Sequence, residues 1–340
     1  MLIQQVRTSL EKYSEEELRL LAAEIYKRIP KKVIAEKEID ALLEDLQAVL
    51  QTRKQSRKAA NRPDFEAVAR EAEKFLEDAG QQYYFAPNRV IPKSQRPKWR
   101  FIAKRLHDEL LALGQDEEHL SQVSDLMTRL YELLCQACRR YLFSSDDPFR
   151  SVGIKQSQFF RDVVALQKRA GMPAEWITSA IKLIAIQGLY SSTLSEDLID
   201  AFLEFLNTAP LKEEAVAQAD RLRRKYAAQG ENSRKYPDYQ VQERNDTLVE
   251  LVFRLHMALA DHEAAVDYFK DHYVEAGLDA AYREEIKLYI LLEKLLRYKQ
   301  KDLWLREYEA CLQRGIKPRR ELVKAYEFTQ KTGRLPEYIG

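Results

Sequence analysis

Apolar residues recur at intervals of three and four along almost the entire chain, and nowhere do β-branched residues alternate long enough to make a strand. That period confines the chain to helices. The punctuation agrees: 10 glycines and 11 prolines in 340 residues are too few for the many tight connections of an all-β or α/β protein. With 45% apolar and 32% charged residues the chain can bury a core and is not composed like a disordered one. Lys plus Arg number 55 and Asp plus Glu 54, which excludes a globally basic nucleic-acid protein and leaves room only for a local patch.

The first helix is marked by Ser14 and Glu17, the spacing of a capping box, and should run to about Arg28 with Pro30 closing it. A second is expected over about Glu36 to Gln51, with Ile39, Leu42, Leu43, Leu46, Val49 and Leu50 as its apolar face. Asp64 caps a third that ends at Gly80. The period predicts further helices at 98–113, 117–143, 155–170, 174–188, 195–207, 211–229, 243–261, 264–275, 280–299, 301–313 and 319–331. Short connections imply antiparallel neighbours. Gly80, Gly114, Gly171, Gly230, Gly277, Gly315 and Gly333 each follow a helical pattern, where a left-handed stop residue is wanted. Glycines spent this way leave no GxGxxG or GxxxxGK[ST] loop to cradle a phosphate.

Residues 248–277 overlay 286–315 without a gap, at a spacing of 38. Matched pairs include Leu248/Ile286, Val252/Ile290, Phe253/Leu291, Met257/Leu295, Val266/Trp304, Val274/Leu312 and Gly277/Gly315. Each copy reads as two helices and a glycine stop. Together with Gly315 to Pro318 and Lys331 to Arg334, this spacing over residues 246–334 resembles that of tetratricopeptide and pentatricopeptide helical repeats. The resemblance implies helix pairs stacked into a solenoid, whose concave side binds an extended partner. The expected fold is therefore all-α: antiparallel helical pairs, an irregular bundle in the N-terminal part and a solenoid-like C-terminal part. Its segments are N-terminal helices over 1–82, a strap over 83–97, a central bundle over 98–230 and repeat-like pairs over 240–340, with the polar stretch 230–240 as a boundary.

One segment is chemically unlike the rest. Residues 83–105, YYFAPNRVIPKSQRPKWRFIAKR, carry Arg89, Lys93, Arg96, Lys98, Arg100, Lys104 and Arg105 and no acid. Their charge of +7 leaves −6 to the remainder of a chain whose total is +1. Pro87, Pro92 and Pro97 exclude a helix before Trp99, which predicts an extended, proline-stiffened strap. Tyr83, Tyr84 and Trp99 are interleaved with the cations. A second basic run, Arg53, Lys54, Arg57, Lys58 and Arg62, also lacks acids.

Three uses fit this composition. Guanidinium groups with interleaved rings suit a single-stranded nucleic acid, pairing phosphates and stacking bases. Arginine forks equally suit the carboxylates of an acidic protein. Alternatively the strap is a brace, its rings plugging the core and its cations pairing with the acids of the helix over 64–78. Trp99 discriminates: if buried it cannot stack on a base, and Arg89, Lys93 and Arg96 become the expected contacts.

Conventional catalytic patterns are weak. Cys135 and Cys138 form a CxxC whose flanking Leu133, Leu134, Tyr141 and Leu142 favour core packing over redox or metal chemistry. His107, His119, His256, His262 and His272 show neither HExxH nor an i, i+4 pair. The aromatic series Tyr268, Phe269, Tyr273, Tyr289, Trp304 and Tyr308 reads as packing between helices, with an aromatic groove for a peptide as the sharper alternative. Three cysteines that cannot all pair, an N-terminus without a hydrophobic leader and no apolar run of about 18 residues lead to the expectation of a cytoplasmic protein with no membrane partner. The expected function is a non-enzymatic interaction or scaffold protein, without metal or cofactor, that binds an anionic partner, most readily a protein, through the strap and helical grooves. The runner-up is a nucleic-acid-binding protein using the same cations plus Arg53, Lys54, Arg57 and Lys58; a helical enzyme or metal protein without a recognisable motif is the third class.

Overall fold

A computed structural model describes residues 3–37, 39–47, 63–186, 189, 194–231, 239–274 and 280–339. The protein is 74% helix, with seventeen α-helices and no strand among the described residues. The chain forms two compact units, Met1–Arg62 and Pro63–Gly340.

The first unit holds α1 (Ile3–Leu10), α2 (Glu15–Arg28), α3 (Lys31–Glu36) and α4 (Ile39–Glu44). The capping box forms as expected: Glu17 N donates to Ser14 Oγ and Ser14 N to Glu17 Oε2 at 2.8 Å. Pro30 does more than close α2. Its carbonyl accepts from Val33 N at 2.8 Å and Ile34 N at 3.1 Å, so it opens α3; of the helix expected over 36–51 the described residues hold α4, and 48–51 lie outside them. Proline tolerates the first turn because its missing N–H would be unpaired there anyway. Ile34 is the one buried residue among those described in this unit.

The second unit runs through α5 (Phe65–Gly80), α6 (Trp99–Leu113), α7 (Leu120–Ala137), α8 (Pro148–Val152), α9 (Gln156–Ala170), α10 (Pro173–Ala185) and α11 (Ser195–Leu203). It continues with α12 (Ala209–Glu231), α13 (Tyr239–Ala258), α14 (His262–His272), α15 (Ala280–Arg297), α16 (Lys301–Gln313) and α17 (Arg320–Thr332). Helix α7 packs against α5, α6 and α9. It buries Leu120, Val123, Met127, Leu130 and Leu134 at helical spacing. The helix expected over 117–143 stops at Ala137, because Leu142 and Phe143 must turn back into the core.

Two cores share α13. Its Leu248, Leu251, Val252 and Leu255, spaced i, i+3, i+4 and i+7, join a core that begins at Val68. Its Val249, Phe253 and Met257 lie on another side and join a core that ends at Ile339. A helix used on both sides this way has almost no solvent face, and Asn245, Thr247, Glu250 and Arg254 are buried with its apolar residues.

The helix stops differ from expectation in an instructive way. Gly315 and Gly333 are left-handed, at φ 76° and 70°. Gly80 lies within α5, Gly230 within α12, and Gly114 and Gly171 have negative φ; Gly277 is outside the described residues. Gly114 is needed for close approach, since a Cβ there would run into the Leu166 side chain. Three stops are instead made by non-glycine residues, Gln82, Ala260 and Lys299, at φ 59°, 60° and 56°. After α13, Ala260 N donates to Met257 O and Asp261 N to His256 O; after α15, Lys299 N donates to Leu296 O and Gln300 N to Leu295 O. These matching turns, and the helix starts His262 and Lys301, are 39 residues apart, so the gapless overlay of 38 is one residue short here. The expected boundary at 230–240 falls largely outside the described residues.

Candidate functional site

Residues 81–98 are a chain of turns, not an extended strap. The left-handed Gln82 ends α5, with Tyr83 N donating to Asp78 O at 2.9 Å. Asn88 then organises the loop from within. Its Nδ2 donates to the carbonyls of Tyr83 and Ala86, both at 2.7 Å, and its Oδ1 accepts from Val90 N at 3.0 Å and Ile91 N at 2.7 Å. One amide thus satisfies four backbone groups, which is why the prolines do not pull the segment straight. Arg96 finishes the loop, donating from Nε to Ile91 O at 3.2 Å and from a terminal nitrogen to Asn88 O at 3.3 Å. A short 3-10 turn, Arg96–Lys98, leads into α6.

The interleaved rings face inward. Trp99 is buried and stacks on Phe143 with centroids 4.0 Å apart and planes at 11°. Tyr84 is buried between Phe75, at 5.4 Å, and the same Phe143, at 6.0 Å. Burial pushes the Tyr84 hydroxyl up to about 12. Tyr83 is half-buried. Trp99 and Tyr84 are core plugs, which removes them from any surface that stacks bases.

The cations divide into two groups. Arg105, exposed, forks onto Glu71 of α5, and Arg96 donates to carbonyls, so both are tied to the protein's own groups. Arg96, expected as a partner contact, is half-buried and donates to those two carbonyls. Arg89, Lys93, Lys98, Arg100 and Lys104 are exposed. The side chain of none of the five forms an ion pair or hydrogen bond with any described residue, and that of Arg100 lies over the Phe101 ring, 4.9 Å from its centroid. Elsewhere arginines are answered by carboxylate forks: Arg129 by Glu73, Arg161 by Glu204, Arg306 by Glu263 and Arg319 by Glu285, at 2.5–2.8 Å. The first turn of α6 holds no acid, although a helix start favours negative charge. Exposed apolar groups border the free cations: Val90 in the loop, Phe101 at 62% exposure on α6, and Phe85 stacked on Tyr141 at 5.4 Å. The second basic run, Arg53, Lys54, Arg57 and Lys58, lies outside the described residues.

Other polar clusters were not foreseen from spacing. Arg254 of α13, only 2% exposed, donates from Nε to Glu250 at 2.6 Å and pairs with Asp200 at 2.5 Å and Glu196 at 2.7 Å, both on α11. Arg297 of α15 reaches the same two acids. A cavity of about 360 Å³ opens beside this network, lined by Lys294, Arg297, Tyr298 and Glu337 among others. Its cations already face acids. His107, buried on α6, sets Nε2 at 3.0 Å from Asp162 and Nδ1 at 3.1 Å from Asp108. Tyr268 donates to Asp220 at 2.8 Å and accepts from Arg223 at 2.9 Å. Sequence spacing carries no signal for pairs separated by tens of residues; a charged residue inside an apolar run, such as Arg254, is the only trace.

Cys135 is buried and Cys138 half-buried, and burial pushes both thiols up, that of Cys138 to about 12. Neither is set up as a thiolate nucleophile. Phe269, Trp304 and Tyr308 are buried in the second core, which leaves them as packing residues. No described helix is long and apolar enough to cross a membrane. Comparison with protein-family models, with curated proteins and with solved structures finds no match to the chain.

Proposed function

We propose that the protein is a non-enzymatic interaction protein that binds an anionic partner through the basic surface formed by Arg89, Lys93, Lys98, Arg100 and Lys104. The observation that carries the reading is the contrast between these five free cations and the arginines of the same chain that sit in carboxylate forks. Exposed cations gain little from the protein that carries them, whereas a polyanion gains several charge-assisted contacts at once. Asn88 and Arg96 pin the turns that carry Arg89, Lys93 and Lys98, and Arg100 and Lys104 stand on α6, so the cations are presented on formed backbone at lower ordering cost. Burial of Trp99 and Tyr84 favours a protein over a single-stranded nucleic acid as the partner. Three cysteines that cannot all pair with one another support a reducing, cytoplasmic setting for this reading.

The test is fluorescence anisotropy with labelled polyanions at about 50 and 200 mM salt, a range over which phosphate contacts lose most of their affinity. The expected result is binding that weakens with salt and disappears when Arg89, Lys93 and Arg100 are changed together to Ala, with the thermal midpoint unaltered. Absence of binding at the lower salt, or binding indifferent to the triple variant, overturns the proposal.

A further inference from the structure

The free cations are not alone on their surface. Trp99, Ala103 and Leu106 turn one side of α6 into the core, and Phe101 lies on the opposite side. Around it at helical spacing are Lys98, one turn before, and Lys104, one turn after, with Arg100 laid over the ring. A large ring kept 62% exposed costs solvation and buries little of its surface here. Val90 repeats the pattern in the loop, 51% exposed between the free Arg89 and Lys93. Each apolar anchor is therefore bracketed by unpaired cations.

Resting on the proposed function, we infer that the partner is an acidic polypeptide segment whose carboxylates alternate with apolar side chains, seated with an apolar residue on Phe101 and acids on Lys98, Arg100 and Lys104. Charge complementarity selects the acids. Val90 selects polypeptide, because it is an aliphatic anchor on which a base does not stack, whereas the exposed Phe101 ring by itself would accept a base as readily as an apolar side chain. A ring surrounded by cations also gains contact area at small entropic cost, as aromatic anchors at interfaces do.

The experiment uses the full chain and three labelled probes of equal net charge: a peptide in which Glu and Asp are interspersed with Leu and Phe, poly-glutamate, and a single-stranded oligonucleotide. Each is titrated at about 50 mM salt, where charge contacts are strongest, against the native protein, the Phe101→Ser variant and the Arg89/Lys93/Arg100→Ala variant. The expected result is that the mixed peptide binds most tightly and that Phe101→Ser weakens it about tenfold, the scale of an interface anchor, while poly-glutamate is unaffected. Poly-glutamate or the oligonucleotide binding as well as the mixed peptide overturns this inference and, if lost in the cation variant, leaves the proposed function standing. Mixed-peptide affinity that ignores Phe101→Ser does the same. Failure of all three probes, or binding that survives the cation variant, overturns both.

Discussion

Arg254 is among the largest fully buried side chains of the protein, beside Trp304 and Tyr131. Burial works against its charge, but Glu250, Glu196 and Asp200 more than offset it, so the guanidinium is held protonated more firmly than usual. Removing Arg254 empties a filled core position and leaves the buried Glu250 to Lys294 alone, while the part-exposed Glu196 and Asp200 keep Arg297. Arg254→Ala is expected to cost about 3–5 kcal/mol in denaturant unfolding, whereas Arg89→Ala, at an exposed cation without a partner, should change stability by less than about 0.5 kcal/mol. Arg96→Ala belongs with the first kind in direction, because it strips two carbonyls of their donor. At the same scale, Ala260 and Lys299 sit in the left-handed region that glycine fills without cost. Ala260→Gly should raise stability by about 0.5–1 kcal/mol, the relief of backbone strain reduced by the freer unfolded chain. A loss of stability there would show that the Ala260 methyl packs.

Among the elements, α2 and α7 are opposites. Helix α7 buries eleven residues, and α2 buries none. Helical stability in water comes mostly from packing of one face, so hydrogen bonds within α2 should open far more often. Amide exchange in the native protein is expected to be fast along Glu15–Arg28 and slow along Leu120–Ala137, and comparable protection in both would show that α2 is covered in solution. The basic segment is an intermediate case. Its prolines were legible and excluded a helix before Trp99, yet the turns depend on Asn88, one side chain bonded to four backbone groups, which composition does not reveal.

For the whole molecule, acid should destabilise in two stages. Burial lowers His256 and His272 from the ordinary 6.5, so the unfolded chain takes up these protons first. Their contribution is complete above pH 6.5 and is lost as pH falls through the depressed folded values. Hydrogen bonds from Arg319 and Arg161 hold Glu285 and Glu204 below 4.5, and a second loss follows as pH falls beneath that value. Thermal midpoints measured from pH 8 to pH 3 should fall in this order, and Glu285→Gln should shrink only the second stage. What the sequence determined by itself was local: helix as the sole regular structure of the described residues, the caps at Ser14 and Asp64, and seven cations without an acid, because period, capping chemistry and charge are properties of neighbouring residues. Only the tertiary structure decided that Trp99 and Tyr84 plug the core, that Arg96 and Arg105 are tied to the protein's own groups, and that five cations and Phe101 are left facing solvent. Those outcomes hinge on partners such as Phe143 and Glu71, which lie 44 and 34 residues away from Trp99 and Arg105 and are brought close only when the helices pack.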